Sequence, residues 1–545
     1  MVEGTQTEAI REKWGEMLSH FKSLSRIKRI NQVKDEQKQE IAEDCLDQFD
    51  LEELKEELSC QFGETADLKI EELKAGGTDA LLFYIQTMID SNVLKEVIQN
   101  LTTESRAEKR VKTIDDVKQM GKDHFGGAGY KIVETPAEIV DNMLNGSIVL
   151  AFKGVSRAIS IPVPSSDSRS INEPSTQTVV RGPKDGFVEN IFVNVSLIRR
   201  RLKNPKLQFD EFTIGNNTNT TVLVCYMRDI ADDGIVQEVH KRLEKINTSA
   251  IFESGNIEEL IADKTSTLFP LALNTERPDA VAANVLEGKV AILVDGSPFV
   301  LVVPAVLVDF FSVSEDYYQH FMMGTFIRFI RYISFMIALL TPSLYVGILT
   351  FHHELLPTTL LLSVIAQREG VPFPAVIEVL LMEITFEILR EAGVRMPRAV
   401  GQTVSIVGAL VIGQAAAEAG IISNIMVIIV AITAIANFVS PTYSFANASR
   451  LLRFLLIVTA AFLGLYGVLI VLVLMVAHLS SLRSFGVPYL APVAPFIIES
   501  QKDVFFRFPF WSMNKRPNYL KPKMEEKQPK TGSPSPPPMR GGNGQ

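Results

Sequence analysis

The spacing of apolar residues changes character once along the chain, near residue 318. Before that point apolar positions fall in short runs or at helical intervals between charged residues, the patterning of a globular domain. Beyond Arg331 they merge into runs approaching the roughly 20 residues that a bilayer crossing needs. A soluble part is therefore joined to a membrane part. Residues 329–351 make one predicted span, 421–439 another and 454–479 a last one, which Gly464 and Gly467 leave as either one long tilted helix or a kinked one. Residues 355–366 are too few to cross and suit a half-helix or re-entrant segment buried in protein. Pro372 and Pro374 then restart the chain into an amphipathic helix over 375–392, suited to an interface or a channel mouth.

The soluble part repeats itself. ETPAEIVDNMLNGSIVL from Glu134 aligns without a gap on ERPDAVAANVLEGKVAI from Glu276. The same shift pairs Pro136 with Pro278, Gly146 with Gly288, Gly154 with Gly296, Tyr84 with Tyr226 and Asp90 with Asp232. One register held over so many punctuating residues marks a duplicated unit. Each copy reads as a strand, a helix, and a proline-started helix that ends at glycine and leads into two strands. The predicted fold class is thus an α/β tandem-repeat cytosolic domain followed by an α-helical multi-span membrane domain. The boundaries drawn are an acidic helical N-terminal extension (1–65), a first α/β subdomain (66–165), a basic linker (166–207) and a second α/β subdomain (208–318). A helical membrane domain with a re-entrant or short segment (319–500) and a basic, Pro/Gly-rich disordered tail (501–545) complete the chain.

Composition narrows the partners. The chain has 545 residues and a net charge of -9, much of it in acidic N-terminal segments such as DLEELKEELSCQFGE, which reads as a solvated helix and gives no footprint for nucleic acid. Three cysteines, Cys45, Cys60 and Cys225, are too dispersed for a disulfide framework or a metal site. The first thirty residues are charged throughout and lack the apolar core of a secretory signal, so the soluble part is expected in the cytosol. Arg199, Arg200, Arg201, Lys203 and Lys206 read as a basic linker able to pack or to touch lipid head groups. No nucleophile elbow, metal pair or phosphate-binding glycine loop is present, and the glycines at 126, 127 and 129 lack the spacing for one. The chain is expected not to be an enzyme and to need neither cofactor nor metal. Paired α/β lobes can hold a small ligand between them or serve as a scaffold.

Charge is scarce in the membrane part, and its placement is informative. Between Arg398 and Arg450 the only formal charge is Glu418. Read as a helix, Val400, Val404, Val407, Val411, Gln414 and Glu418 share one face, so an apolar seam ends in an amide and a carboxylate. Beside it runs a stripe of small residues, Gly401, Ser405 and Gly408, that lets a neighbouring helix approach. Two readings fit: a packed seam reaching an interface, or the lining of a pore. Glu383, Glu387 and Glu391 likewise fit either a carboxylate ring at a channel mouth or a solvated face with arginine counter-charges.

Long motifs add a resemblance. SEDYYQHF from Ser314, LLTPSLYVGILTFHHELLPTTLLLSVIAQREGVPFP from Leu339, PRAVGQTVSIVGALVIGQAAAEAGI from Pro397 and SPTYSFANASRLLRF from Ser440 resemble the A subunits of GerA-type spore germinant receptors of endospore-forming bacteria, as does SLIRRRLKNPKL before the second repeat. The resemblance runs from Glu134 to Phe510. It implies an integral protein of the spore inner membrane, with its soluble domain on the cytosolic, core side. It also implies a permease-like B subunit and a lipoprotein C subunit as partners, and self-association into a ring, pentameric, that forms a nutrient-gated cation channel in contact with membrane lipids. In that picture Val404 and Val407 close the path by dewetting, while Gln414 and Glu418 form its cation-attracting end. Rival readings are a non-conducting scaffold that passes a signal on, a solute transporter, and a paralogue similar to the stage V sporulation AF protein, which shares much of the membrane motif set.

Overall fold

The computed structural model describes residues 51–75, 77–103, 113–125, 129–165, 173–396, 413–529 and 532. They belong to two compact units, Met1–Ser166 with Lys203–Pro205, and Asp167–Leu202 with Lys206–Gln545.

In the first unit, α1 (Leu51–Phe62) precedes β1 (Leu68–Ala75), β2 (Thr78–Ile85), α2 (Ser91–Thr103), α3 (Ile114–Phe125), β3 (Lys131–Val133), α4 (Pro136–Leu144), β4 (Ser147–Phe152) and β5 (Ala158–Pro162). The strands form one antiparallel sheet in the order β1-β2-β4-β5-β3. Strand alternation decides what covers each face. Ile148, Leu150 and Phe152 of β4 point to the layer of Val97, Leu101 and Val117 on α2 and α3. Val149 and Ala151 point to Ile139 and Met143 of α4 and to α1. The α1 helix is not solvated all round, as its charge suggested: Leu51, Leu54, Leu58 and Phe62 are buried on one stripe. The acidic residues occupy the remaining faces, and the apolar period at three and four residues places the helix in this core. Thr135 caps α4 by accepting from Glu138 N, and Pro136 opens its first turn. Gly146 ends it at φ 82°, where a Cβ would stand 3.0 Å from Met88 O.

The second unit begins with the same plan. It has α5 (Ile191–Arg201), β6 (Leu207–Ile214), β7 (Thr220–Met227), α6 (Asp233–Glu244), α7 (Ser254–Ile261), β8 (Leu273–Thr275), α8 (Pro278–Leu286), β9 (Val290–Val294) and β10 (Val300–Val303). Its sheet order, β6-β7-β9-β10-β8, matches the first. The three arginines of the basic stretch form the last turn of α5: Arg199 is 1% exposed, with its guanidinium 5.1 Å from the centre of the Phe209 ring, and Arg201 meets Asp185 at 2.5 Å.

The chain beyond residue 481 returns to this subdomain. Phe485, Val487, Ala491 and Leu520 enter its core beside Val224, Val239 and Ile292. Polar anchors hold the segment: Lys523 to Asp233 at 2.6 Å, Lys527 to Glu287 at 3.0 Å, and Lys515 to Glu499 at 3.0 Å. Arg516 donates to the carbonyls of Leu286 and Met524 at 2.8 and 2.9 Å. Residues 501–529 are therefore packed rather than part of a loose tail, because single apolar pegs such as Leu520 outweigh a polar average composition.

The helical part of the second unit comprises α9 (Glu315–Tyr318), α10 (Phe321–Phe351), α11 (Thr358–Arg368), α12 (Ala375–Arg395), α13 (Asn424–Phe438) and α14 (Tyr443–Ser481). Of these, α10 and α14 are long and apolar enough to cross a membrane. α11 has 11 residues and exposes Leu360, Leu362 and Ile365, with only Val364 buried, so the expectation of burial is not met within this single chain. α14 breaks at Gly464, where φ is 62° and ψ is -145°. Phe445 and His478, near its two ends, both lie beside Phe269, at 6.2 and 6.4 Å between ring centres, and His478 Nε2 is 3.0 Å from Thr267 Oγ1. A straight helix of 39 residues would be about 58 Å long. The two limbs of α14 therefore double back on each other, and the kinked alternative holds. Phe335 stacks on Phe445 while Phe351 borders Gly464, so the first limb runs alongside α10 in the same direction. The helix α12 runs against both, pairing Glu383 with Arg453, Glu387 with Arg450, and Arg390 with Tyr443.

Candidate functional site

The helical spacing of Glu383, Glu387 and Glu391 lays three carboxylates along one side of α12, and the arginines of α14 meet two of them. Glu383 and Arg453 are each 1% exposed and 2.9 Å apart. Glu387 takes Arg450 at 2.7 Å, Arg453 at 3.4 Å and Arg390 at 3.8 Å. Asn447 accepts from Arg450 and, at 3.5 Å, from Arg390. Glu391 lies farther along, with its side chain 61% exposed beside Arg395 at 2.6 Å. Glu383 Oε1 and Arg453 Nε are buried without a hydrogen-bond partner among the described residues. Charges removed from water this thoroughly persist only when paired, and breaking one partner leaves an uncompensated ion.

A fourth carboxylate was not singled out by spacing. Glu378 is 0% exposed, and its Oε1 accepts from both the backbone N and the Oγ of Ser423 at 2.5 Å. Its Oε2 faces Arg368 Nε at 3.6 Å, and Tyr345 Oη lies 3.3 Å from Ser423 Oγ. Ser423 is the N-cap of α13, so a carboxylate from one helix fixes the start of another. The sequence signal was a serine just ahead of an apolar run; the donor helix carrying Glu378 has no local signature.

A second buried cluster sits where α10 begins. Arg328 is 0% exposed and meets Asp316 at 3.2 Å and Asp503 at 2.9 Å. Arg331 pairs with Asp316 and donates to Phe311 O at 2.5 Å. Tyr317 donates to Asp503 at 2.6 Å, and burial, with Asp503 beside it, pushes its phenol well above the usual value, so it stays a donor. These arginines, which the sequence offers as flanking charges for a span, also lock residues 311–317 and 503 to the helix.

On the proposed pore face, Gln414 and Glu418 are exposed, and Gln414 Nε2 donates to Glu418 Oε1 at 2.9 Å. Residues 413–418 are helical, and a Cβ at Gly413 would stand 3.3 Å from Val427 of α13. Val400, Val404, Val407 and Val411, with Gly401, Ser405 and Gly408, lie outside the described residues. Among the described residues Glu418 has no cationic side chain within 4 Å, whereas all four carboxylates of α12 have an arginine.

Residues 56–519 match the family described as Bacillus/Clostridium GerA spore germination protein. The chain is 44% identical over 484 residues to spore germination protein KA of Bacillus subtilis (strain 168), covering 88% of each chain. It is 39% identical over 487 residues to spore germination protein GerLA of Bacillus cereus, covering 88% of this chain and 97% of that one. A crystal structure of the N-terminal domain of the A subunit of the Bacillus megaterium spore germinant receptor GerK3 shares 30% identity, covering 46% of this chain and 93% of that one with a TM-score of 0.37.

Proposed function

The chain belongs to the Bacillus/Clostridium GerA spore germination protein family, and from that premise we propose that it is the membrane subunit of a nutrient germinant receptor whose copies form a ring around a gated cation path. The permease-like B subunit and the lipoprotein C subunit are its partners in this reading. Its helices lie in the spore inner membrane, with the α/β subdomains on the core side.

The observation that carries the reading is the contrast in charge compensation. Glu378, Glu383 and Glu387 are engaged by arginines within the chain and serve to hold helices together. Glu418 stands exposed, hydrogen-bonded to Gln414 and without an ion-pair partner among the described residues, as the single charge in the stretch from residue 399 to 449. Repeated around a ring, such carboxylates make a cation-attracting mouth, and the half-solvated Glu391 can add to it. Val400, Val404, Val407 and Val411 form the constriction ahead of it, and Gly401, Ser405 and Gly408 allow close helix packing. A nutrient opens the path only by binding the open ring more tightly than the closed one.

Current through planar bilayers containing the purified full-length chain, with its partners, tests this. Val407→Ala should leak without nutrient, and Glu418→Gln should lower cation over anion permeability. A verified ring that carries no current would favour the non-conducting scaffold.

A further inference from the structure

A cavity of about 950 Å³ lies inside the second unit, where α8, the start of α10, the turn between α13 and α14, and the C-terminal segment converge. The ion path proposed above does not use it. Its wall mixes apolar and polar groups. Ile330 and Phe438, 38% and 74% exposed, belong to the apolar helices α10 and α13. Beside them in the lining are hydrogen-bond donors that lack acceptors among the described residues. Thr442 is 4% exposed and its hydroxyl has no partner among the described residues. Arg277 is 2% exposed, and its Nε–H has no partner among the described residues although its terminal nitrogens reach Gln177 O, Pro183 O and Asp279. Lys502 is exposed on the same wall and makes no ion pair among the described residues.

Most carboxylates of the wall are already engaged, although Asp279 Oδ1, beside Arg277, has no partner among the described residues. Asp309 holds Lys289 at 2.7 Å and Asp503 holds Arg328 at 2.9 Å, while Glu287 and Glu499 hold lysines of the C-terminal segment. Glu315, the remaining carboxylate of the wall, accepts from Gln319 at 2.9 Å. Buried donors without acceptors are costly, and a bound oxyanion would satisfy them. The apolar residues of the wall belong to α10, which is long and apolar enough to cross a membrane, and to the shorter apolar helix α13, which favours a ligand with a hydrocarbon part over a free ion.

We propose that this cavity binds the phosphate head group of an anionic phospholipid, its acyl chain lying along Ile330 and Phe438. The volume suits such a head group, since small-ligand pockets span roughly 300–1,000 Å³. The inference rests on the helices lying in a bilayer and not on ion conduction. A lipid so placed would join α8 of the α/β subdomain to the two helices that carry the apolar wall.

The test is native mass spectrometry of the full-length chain in micelles doped with phosphatidylglycerol or phosphatidylcholine. Wild type should retain one phosphatidylglycerol per chain about tenfold better than phosphatidylcholine, and Lys502→Glu and Thr442→Val should each lower that retention about tenfold. Lys241→Glu, an exposed charge on α6, should change nothing and serves as the control. Lys502 is itself exposed, so its variant should fold, which size-exclusion elution checks. Equal retention of the two lipids, or retention unchanged in both variants, overturns the proposal. Displacement of the lipid by inorganic phosphate at about 1 mM also overturns it, assigning the donors to a free ion instead. The readout is bound lipid, so it stands or falls separately from any current.

Discussion

The pair Glu383–Arg453 offers the sharpest test of what holds the helical part together. Two unit charges 2.9 Å apart attract by about 6 kcal/mol at an effective dielectric constant of roughly 20. Much of that attraction offsets the desolvation of both groups, each 1% exposed. Arg453→Met therefore should not simply lose the attraction: it strands the buried Glu383, at a cost of about 3–5 kcal/mol. Glu383→Gln removes the stranded charge and leaves Arg453 with Glu387 at 3.4 Å, so it should cost less, about 1–2 kcal/mol. The double variant Glu383→Leu with Arg453→Met should recover most of the loss, since neither ion remains to be solvated. The assay is the apparent melting temperature of the full-length chain in one detergent, read by size-exclusion fluorescence after heating. Arg453→Met should drop it by on the order of 10 °C. If the double variant is as unstable as the sum of its parts, the two residues do not interact and the reasoning fails.

Other features make equally concrete demands. Leu520→Ala should loosen the C-terminal segment by about 2–3 kcal/mol, seen as faster trypsin cleavage after Lys523, because its side chain is 1% exposed in the second subdomain's core; an unchanged cleavage rate would remove the peg. Burial and the nearby Glu253 push Glu258 up to about 7. The folded subdomain therefore holds this proton more tightly than the unfolded chain, and the stabilisation, at most about 3 kcal/mol, is fully present below the usual carboxylate range and falls as pH rises through 7. Hydrogen-exchange protection of α7, corrected for the intrinsic rate, should thus be higher at about pH 5 than at about pH 8, and Glu258→Gln should flatten the profile. Gly464→Ala places a side chain at φ 62° with its Cβ 2.8 Å from that of Phe351, so it should lower the melting temperature. Gly370→Ala, with nothing within 4 Å, should not.

What the sequence revealed follows from how local each signal is. The duplicated α/β unit was legible because prolines and glycines at fixed intervals mark where helices start and chains turn, and these survive the divergence of the apolar residues between them. The carboxylate row on α12 was legible for the same reason, being a spacing of four. Its partners were not, since Arg450 and Arg453 lie more than sixty positions away and nothing near them names the helix they face. In α1, acidic residues as numerous as the four apolar ones concealed a buried stripe. In residues 501–529, prolines and lysines set the average, although a few side chains decide the packing. Glu378 escaped because its role is to cap Ser423 on another helix.

The turn at Gly464 also fixes an arithmetic that hydropathy left open. The chain departs from the second α/β subdomain at the start of α10 and has rejoined it by His478, so the traverses made in between must be even in number, whatever path residues 397–412 follow. Placed in a bilayer, the two ends of the helical part then share one compartment. A tag after residue 529 and one in the second α/β subdomain should be reached by reagent from the same face, and a signal arriving from the opposite face would have to enter through the helical part.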